Sequence, residues 1–173
     1  SLMVLYLKPK PIFMLSVILL LAYWVILLLF GDTADPYNMM TNAGTKLDLW
    51  LLGQDHLYHG EGVPFDPEGV LSTLPAIVNV TFGYLAGKWI QQKGKEYEGL
   101  AKLLLAGALL VALALSWDRF FPINKKLWTS SFVLLTVGID CIILAALIYV
   151  TDFLQKRKWA YFFEVFGKNP LFI

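Results

Sequence analysis

Apolar runs of about 20 residues, the length that crosses a hydrocarbon core of roughly 30 Å, recur along the chain. Residues 11–30 form one without a single charge. Residues 70–90 form a second, interrupted by Asn79 and by a late Lys88 whose stem can reach back to the interface. Residues 100–117 are rich in Leu and Ala, with Lys102 close to one end. Residues 129–150 form the fourth and carry Asp140 near the middle. Residues 159–173 are an aromatic, interfacial stretch leading into a partial span. The apolar residues come in runs rather than amphipathic stripes. The pattern predicts an all-α integral membrane protein: about four transmembrane helices plus a partial fifth in one polytopic segment, with a long extracytoplasmic loop, residues 31–69, after the first helix.

Basic residues orient the spans. Lys8 and Lys10 precede the first, Lys88, Lys93, Lys95 and Lys102 cluster around the second connection, and Lys156, Arg157, Lys158 and Lys168 follow the fourth. That side is predicted to be cytoplasmic. Only Lys46, Arg119, Lys125 and Lys126 fall on the other. Composition agrees: 58% of the 173 residues are hydrophobic and 16% charged, which excludes disorder and a nucleic-acid binder. The single cysteine, Cys141, excludes an internal disulfide and a Cys-based metal cluster.

The loop 31–69 departs from the rest. It holds both histidines, His56 and His59, and the carboxylates of Asp32, Asp35, Asp48, Asp55, Glu61, Asp66 and Glu68 against one lysine. Such length suggests function rather than connection. Within it, residues 47–52 read as a short interfacial helix closed by Gly53. Asp55, His56, Tyr58 and His59 bring a carboxylate, two imidazoles and a phenol together, a set suited to general acid–base work and equally to a solvated polar loop. As metal ligands they are too few, and no metal is expected. Asp66 before Pro67 reads as the N-cap of the second span, with Glu68 favouring the helix dipole. Asp140 is costly in a bilayer and is expected to face the bundle interior or a water-filled cavity. Asn79 has the same status at lower cost, and a packing hydrogen bond would explain either. Gly83 and Gly87 read as a small-xxx-small contact between helices. No Walker loop, GxSxG, HExxH or dinucleotide fingerprint is present.

Residues 51–58 (LLGQDHLY), 65–71 (FDPEGVL), Ala86-Gly87-Lys88, residues 121–129 (FPINKKLWT) and Gly167-Lys168-Asn169-Pro170 resemble, in order and spacing over roughly residues 45–173, the heparan-α-glucosaminide N-acetyltransferase family and its bacterial relatives. The resemblance implies a larger polytopic enzyme of the bacterial cytoplasmic membrane, of which this chain is a C-terminal portion continued by further spans. It implies acetyl-CoA as the cytoplasmic donor and an amino sugar or glycan as the extracytoplasmic acceptor. The histidine proposed for the family's chemistry lies before the matched region, so that role does not pass to His56. Asp55 and His56 are instead candidates to assist deprotonation or to position the acceptor, together with Tyr58, Asp66 and Glu68. Lys88, Lys93 and Lys95 would neutralise CoA phosphates, and Asn79 and Asp140 would line a passage for the pantetheine arm. Beyond membrane lipid, a homo-oligomer could cover polar faces left open. Two other classes stay open from the residues alone: a transporter coupled through Asp140, and a non-catalytic scaffold docking a partner through the long loop.

Overall fold

Proline marks where the first long helix can begin. Pro9 and Pro11 both fall in the first turn of a helix over Pro9–Phe30, where a missing N–H costs nothing because no intrahelical acceptor exists for it. The computed structural model describes residues 3–60, 62–67 and 69–168, and among them every regular element is helical. In chain order these are α1 (Met3–Tyr6), α2 (Pro9–Phe30), α3 (Ala43–Leu52), α4 (Thr73–Lys93), α5 (Tyr97–Trp117), α6 (Ser130–Ile148) and α7 (Tyr161–Lys168). A single wider turn continues α6 through Tyr149–Phe153.

Three helices are long and apolar enough to cross a membrane: Pro9–Phe30, Tyr97–Trp117 and the α6 helix extended to Phe153. Their outward faces carry bare hydrocarbon; Leu105, for example, is 67% exposed, an arrangement that water penalises and lipid does not. Helix α4 is as long but more polar, with Asn79, Thr81, Gly83, Gly87 and Lys88 along it. It packs against all three of the others, so much of its surface meets protein. Helix α7 is exposed along its length. Of the partial span predicted over 159–173, residues 169–173 lie outside the described residues.

Hydrogen bonds fasten the bundle where lipid offers no alternative partner. Ser16 on α2 and Thr81 on α4 share a hydrogen bond of 2.7 Å. The Ser130 hydroxyl donates to the Leu20 carbonyl at 2.8 Å, tying α6 to α2. Close approach does the rest. A Cβ at Gly107 would lie 2.7 Å from the Gly138 carbonyl oxygen, and one at Gly138 would lie 2.8 Å from that of Gly107, so α5 and α6 cross at this point with backbone against backbone. The small-residue contact expected at Gly83 and Gly87 is not where helices meet: a Cβ at either would find nothing within 4 Å. The crossing therefore uses one glycine from each of two helices, and no fixed spacing within one helix announces it.

At the end of the bundle that carries the 31–69 loop, Phe121 is fully buried among Tyr23, Trp24, Tyr37 and Trp117, with ring centroids 5.1–6.2 Å away. The Tyr23 hydroxyl donates to the Leu127 carbonyl at 2.5 Å. These contacts pin the α5–α6 connection over the C-terminal end of α2.

Gly107→Ala or Gly138→Ala should each destabilise by about 1–3 kcal/mol through overpacking, whereas Gly83→Ala and Gly87→Ala should leave the thermal midpoint in detergent unchanged. Equal effects at all four glycines would contradict the assigned crossing.

Candidate functional site

The residues between α3 and α4 are held by one carboxylate. Helix α3 starts at Asn42, whose side-chain oxygen accepts from the Thr45 N–H at 3.0 Å, and ends at Gly53, whose φ of 77° lies in the left-handed region that suits glycine. This short helix is turned the unusual way round. Trp50 is 79% exposed, while Asp48 is only 2% exposed. One Asp48 oxygen, Oδ1, accepts from the Val70 N–H at 2.9 Å. The other sits over Gly69, where a Cβ would lie only 2.0 Å from it. Gly69 is required here for space, not for its backbone angles.

This contact corrects the reading of Asp66-Pro67 as a helix start. Helix α4 begins at Thr73, after successive turns in which Gly69 N–H donates to the Asp66 carbonyl and Thr73 N–H to that of Val70. Pro75 explains the delay. It falls in the first turn of a helix starting at Thr73, but would break the interior of one starting at Pro67. Asp48, reaching across from α3, satisfies an N–H of the segment that a local cap would otherwise serve.

Asp48 and Asp66 line one cavity with Tyr23, Ser72, Lys126 and Leu127, a space for about one water molecule. Burial pushes the Asp48 carboxyl above the usual carboxylate range; the Val70 N–H opposes the shift and Asp66 adds to it. A second cavity of about 320 Å³ adjoins it, lined by Pro67, Ser72, Thr73, Ala76 and Trp128. Pro67 and Ser72 border both.

The residues singled out from the sequence are thus not all in one place. Asp66 lines the carboxylate cavity. Asp55, His56 and Tyr58 lie exposed on the loop after α3, with Leu57 buried between them as its anchor. Glu68 lies outside the described residues. The Asn79 amide is already engaged: its oxygen accepts from Trp128 Nε1 at 3.0 Å, and its nitrogen donates to the Thr136 hydroxyl at 3.4 Å. Asp140 is exposed on α6, contrary to the expectation that it turns into the bundle; the interior side of this helix is taken by Val137, Gly138 and Cys141. Lys88 lines a groove between α2 and α4 with Lys10 and Gln92. Lys93 pairs with Glu96 at 3.1 Å, and Lys95 borders a separate hollow with Asp152 and Arg157. Positions five apart on a helix do not share a face, so Lys88 stands apart from Lys93.

Asp48, Tyr23 and Trp128 are the residues that motif reading passed over. An acid in the middle of the apolar stretch 47–52 was the one local signal for Asp48, since a buried carboxylate needs a partner.

No protein-family model matches the chain. It is 33% identical over 145 residues to the heparan-alpha-glucosaminide N-acetyltransferase of Homo sapiens, a match covering 75% of this chain and 21% of that protein. It is 34% identical over 119 residues to the protein of the same name from Mus musculus, covering 60% of this chain and 18% of the relative. The resemblance carried by the sequence motifs is therefore borne out. The chain spans about a fifth of the length of the curated relatives it matches.

Two stability predictions follow from the Asp48 contact. Gly69→Ala should cost about 1–3 kcal/mol, because the new methyl must displace a buried carboxylate. For Asp48→Asn the sign depends on pH. The folded carboxyl keeps its proton to higher pH than the unfolded one, so its ionisation costs stability at neutral pH and costs nothing below the ordinary value of 3.8. The asparagine oxygen can still accept from Val70. The variant should melt at or above wild type at neutral pH, and that advantage should shrink as the pH falls toward 3.8. An advantage that grew on acidification would contradict the assignment.

Proposed function

We propose that this chain contributes to a membrane acetyltransferase that takes acetyl groups from acetyl-CoA at its cytoplasmic rim and delivers them to an amino sugar at its outer face. The observation that carries this reading is the similarity to proteins named for N-acetylation of heparan α-glucosaminide. In this reading α4 is the fourth span, and the loop 31–69 lies outside. The enriched basic rim is then cytoplasmic, as positive-inside topology requires.

Chemically, an amine arriving as an ammonium must lose one proton before its lone pair attacks the thioester carbonyl. The C–S bond then breaks, the nitrogen gives up a second proton as the amide forms, and CoA leaves as the thiol with one proton taken up. The Asp66–Asp48 cavity suits the ammonium. A carboxylate makes a charge-assisted hydrogen bond to it, and Asp48 and Asp66 line the same cavity. Asp55, His56 and Tyr58, exposed on the loop, meet the acceptor as it comes from solvent and orient it or assist its deprotonation. At the other end, Lys93 and Lys95 supply the field for the CoA phosphates, with Lys88 deeper on α4.

The test is acetyl transfer by the complete gene product in detergent, with labelled acetyl-CoA and glucosamine. Asp66→Asn should raise the acceptor KM about tenfold, the loss of one charge-assisted bond, with the donor KM unchanged. Lys93→Glu with Lys95→Glu should do the reverse. Absence of N-acetylated product with glucosamine and with α-glucosaminides would overturn the reading.

A further inference from the structure

Trp128 adopts a backbone angle that its side chain does not favour. Its φ is 52°, in the left-handed region where a bulky residue is an outlier. Such strain persists only where neighbours hold it, and here they do. Trp128 N–H donates to the Lys125 carbonyl at 3.2 Å, and its ring packs edge-on to Phe132 at 5.3 Å. The indole Nε1–H is spent inward on Asn79. A tryptophan serving only as an interfacial anchor needs neither feature, because its N–H would point to headgroups and water. The Trp128 side chain, held in this way, is one wall of the 320 Å³ cavity beside the starts of α4 and α6.

The rest of that cavity is chemically mixed. Ser72 and Thr73 donate their hydroxyl protons to the Gly69 and Val70 carbonyls, both at 2.7 Å, which leaves oxygen lone pairs to accept from a ligand. Pro67 and Ala76 are apolar. An aromatic wall with hydroxyl acceptors fits a ring that has a C–H face and hydroxyl edges. Across Pro67 and Ser72 lies the Asp48–Asp66 cavity, so a ring seated on the indole has carboxylates beside it and an ammonium would gain from both neighbours.

We propose that Trp128 is the stacking platform for the acceptor's pyranose ring, and so a specificity-determining residue of the outer site. The inference deepens the acetyltransferase reading and rests on it for the sugar's identity, but the ring-stacking cavity itself is tested separately. Saturation-transfer NMR with methyl α-glucosaminide would be measured on the protein in detergent, alongside acceptor and donor KM of the complete gene product. Trp128→Leu should remove most of the saturation transfer and raise acceptor KM on the order of tenfold, the worth of one aromatic stacking contact. Donor KM should move less than about twofold. Trp128→Phe, which keeps a ring, should retain binding. If Trp128→Leu lowers the melting temperature, the Phe variant and the unchanged donor KM keep the two roles apart. Wild-type binding that persists in Trp128→Leu, or that is absent altogether, overturns the proposal, as does loss confined to kcat. Sugar binding that depends on Trp128 without any acetyl transfer would sink the acetyltransferase reading and leave the platform standing.

Discussion

One carboxylate–amide contact organises the loop end of the bundle: Asp48 on α3 accepting from the Val70 N–H ahead of α4. It fixes a short helix to a long one across 22 positions of sequence, and it works only because Gly69 has no side chain in the way. With that contact made, Asp66 is brought to the same cavity, and Pro67 and Ser72 become the partition between a carboxylate chamber and an indole-walled one. Without it, a carboxylate removed from water would have no hydrogen-bond donor, and burial of that kind is among the costliest a protein can make.

The membrane imposes the complementary constraint deeper in the bundle. Polar side chains between helices must answer one another, and Ser16 with Thr81, Ser130 with the Leu20 carbonyl, and Asn79 with Trp128 and Thr136 do so. Asn79 holds α4 to α6, and it also anchors Trp128, which lines the 320 Å³ cavity. Helix α4 tolerates its polar residues because it packs against each of the other three long helices.

Much of this was legible in one dimension. Run length and absence of charge locate long helices within a few residues, because in lipid a helix satisfies its own backbone. Gly53 after residues 47–52 marks the end of α3, as the structure has it. The features that escaped are those whose cause lies elsewhere in the chain. Nothing near Asp48 names Val70 or Gly69 as its partner. Asp66-Pro67 imitates a helix cap locally, yet Pro75 sets the start further on. Gly83 and Gly87 have the spacing of a helix contact and lack the neighbour, while Gly107 and Gly138 have the neighbour without a motif. Asp55 and His56 draw the eye by chemistry, and the loop leaves them exposed.

We propose that donor and acceptor meet across the membrane through this bundle, with the carboxylate cavity on the acceptor side. Sealed vesicles of defined orientation test it directly, with labelled acetyl-CoA confined to the cytoplasmic side and glucosamine confined to the other. The account predicts labelled N-acetylglucosamine on the glucosamine side only, and loss of that product when the vesicle orientation is reversed. Product that forms only when both reagents share one side would contradict it.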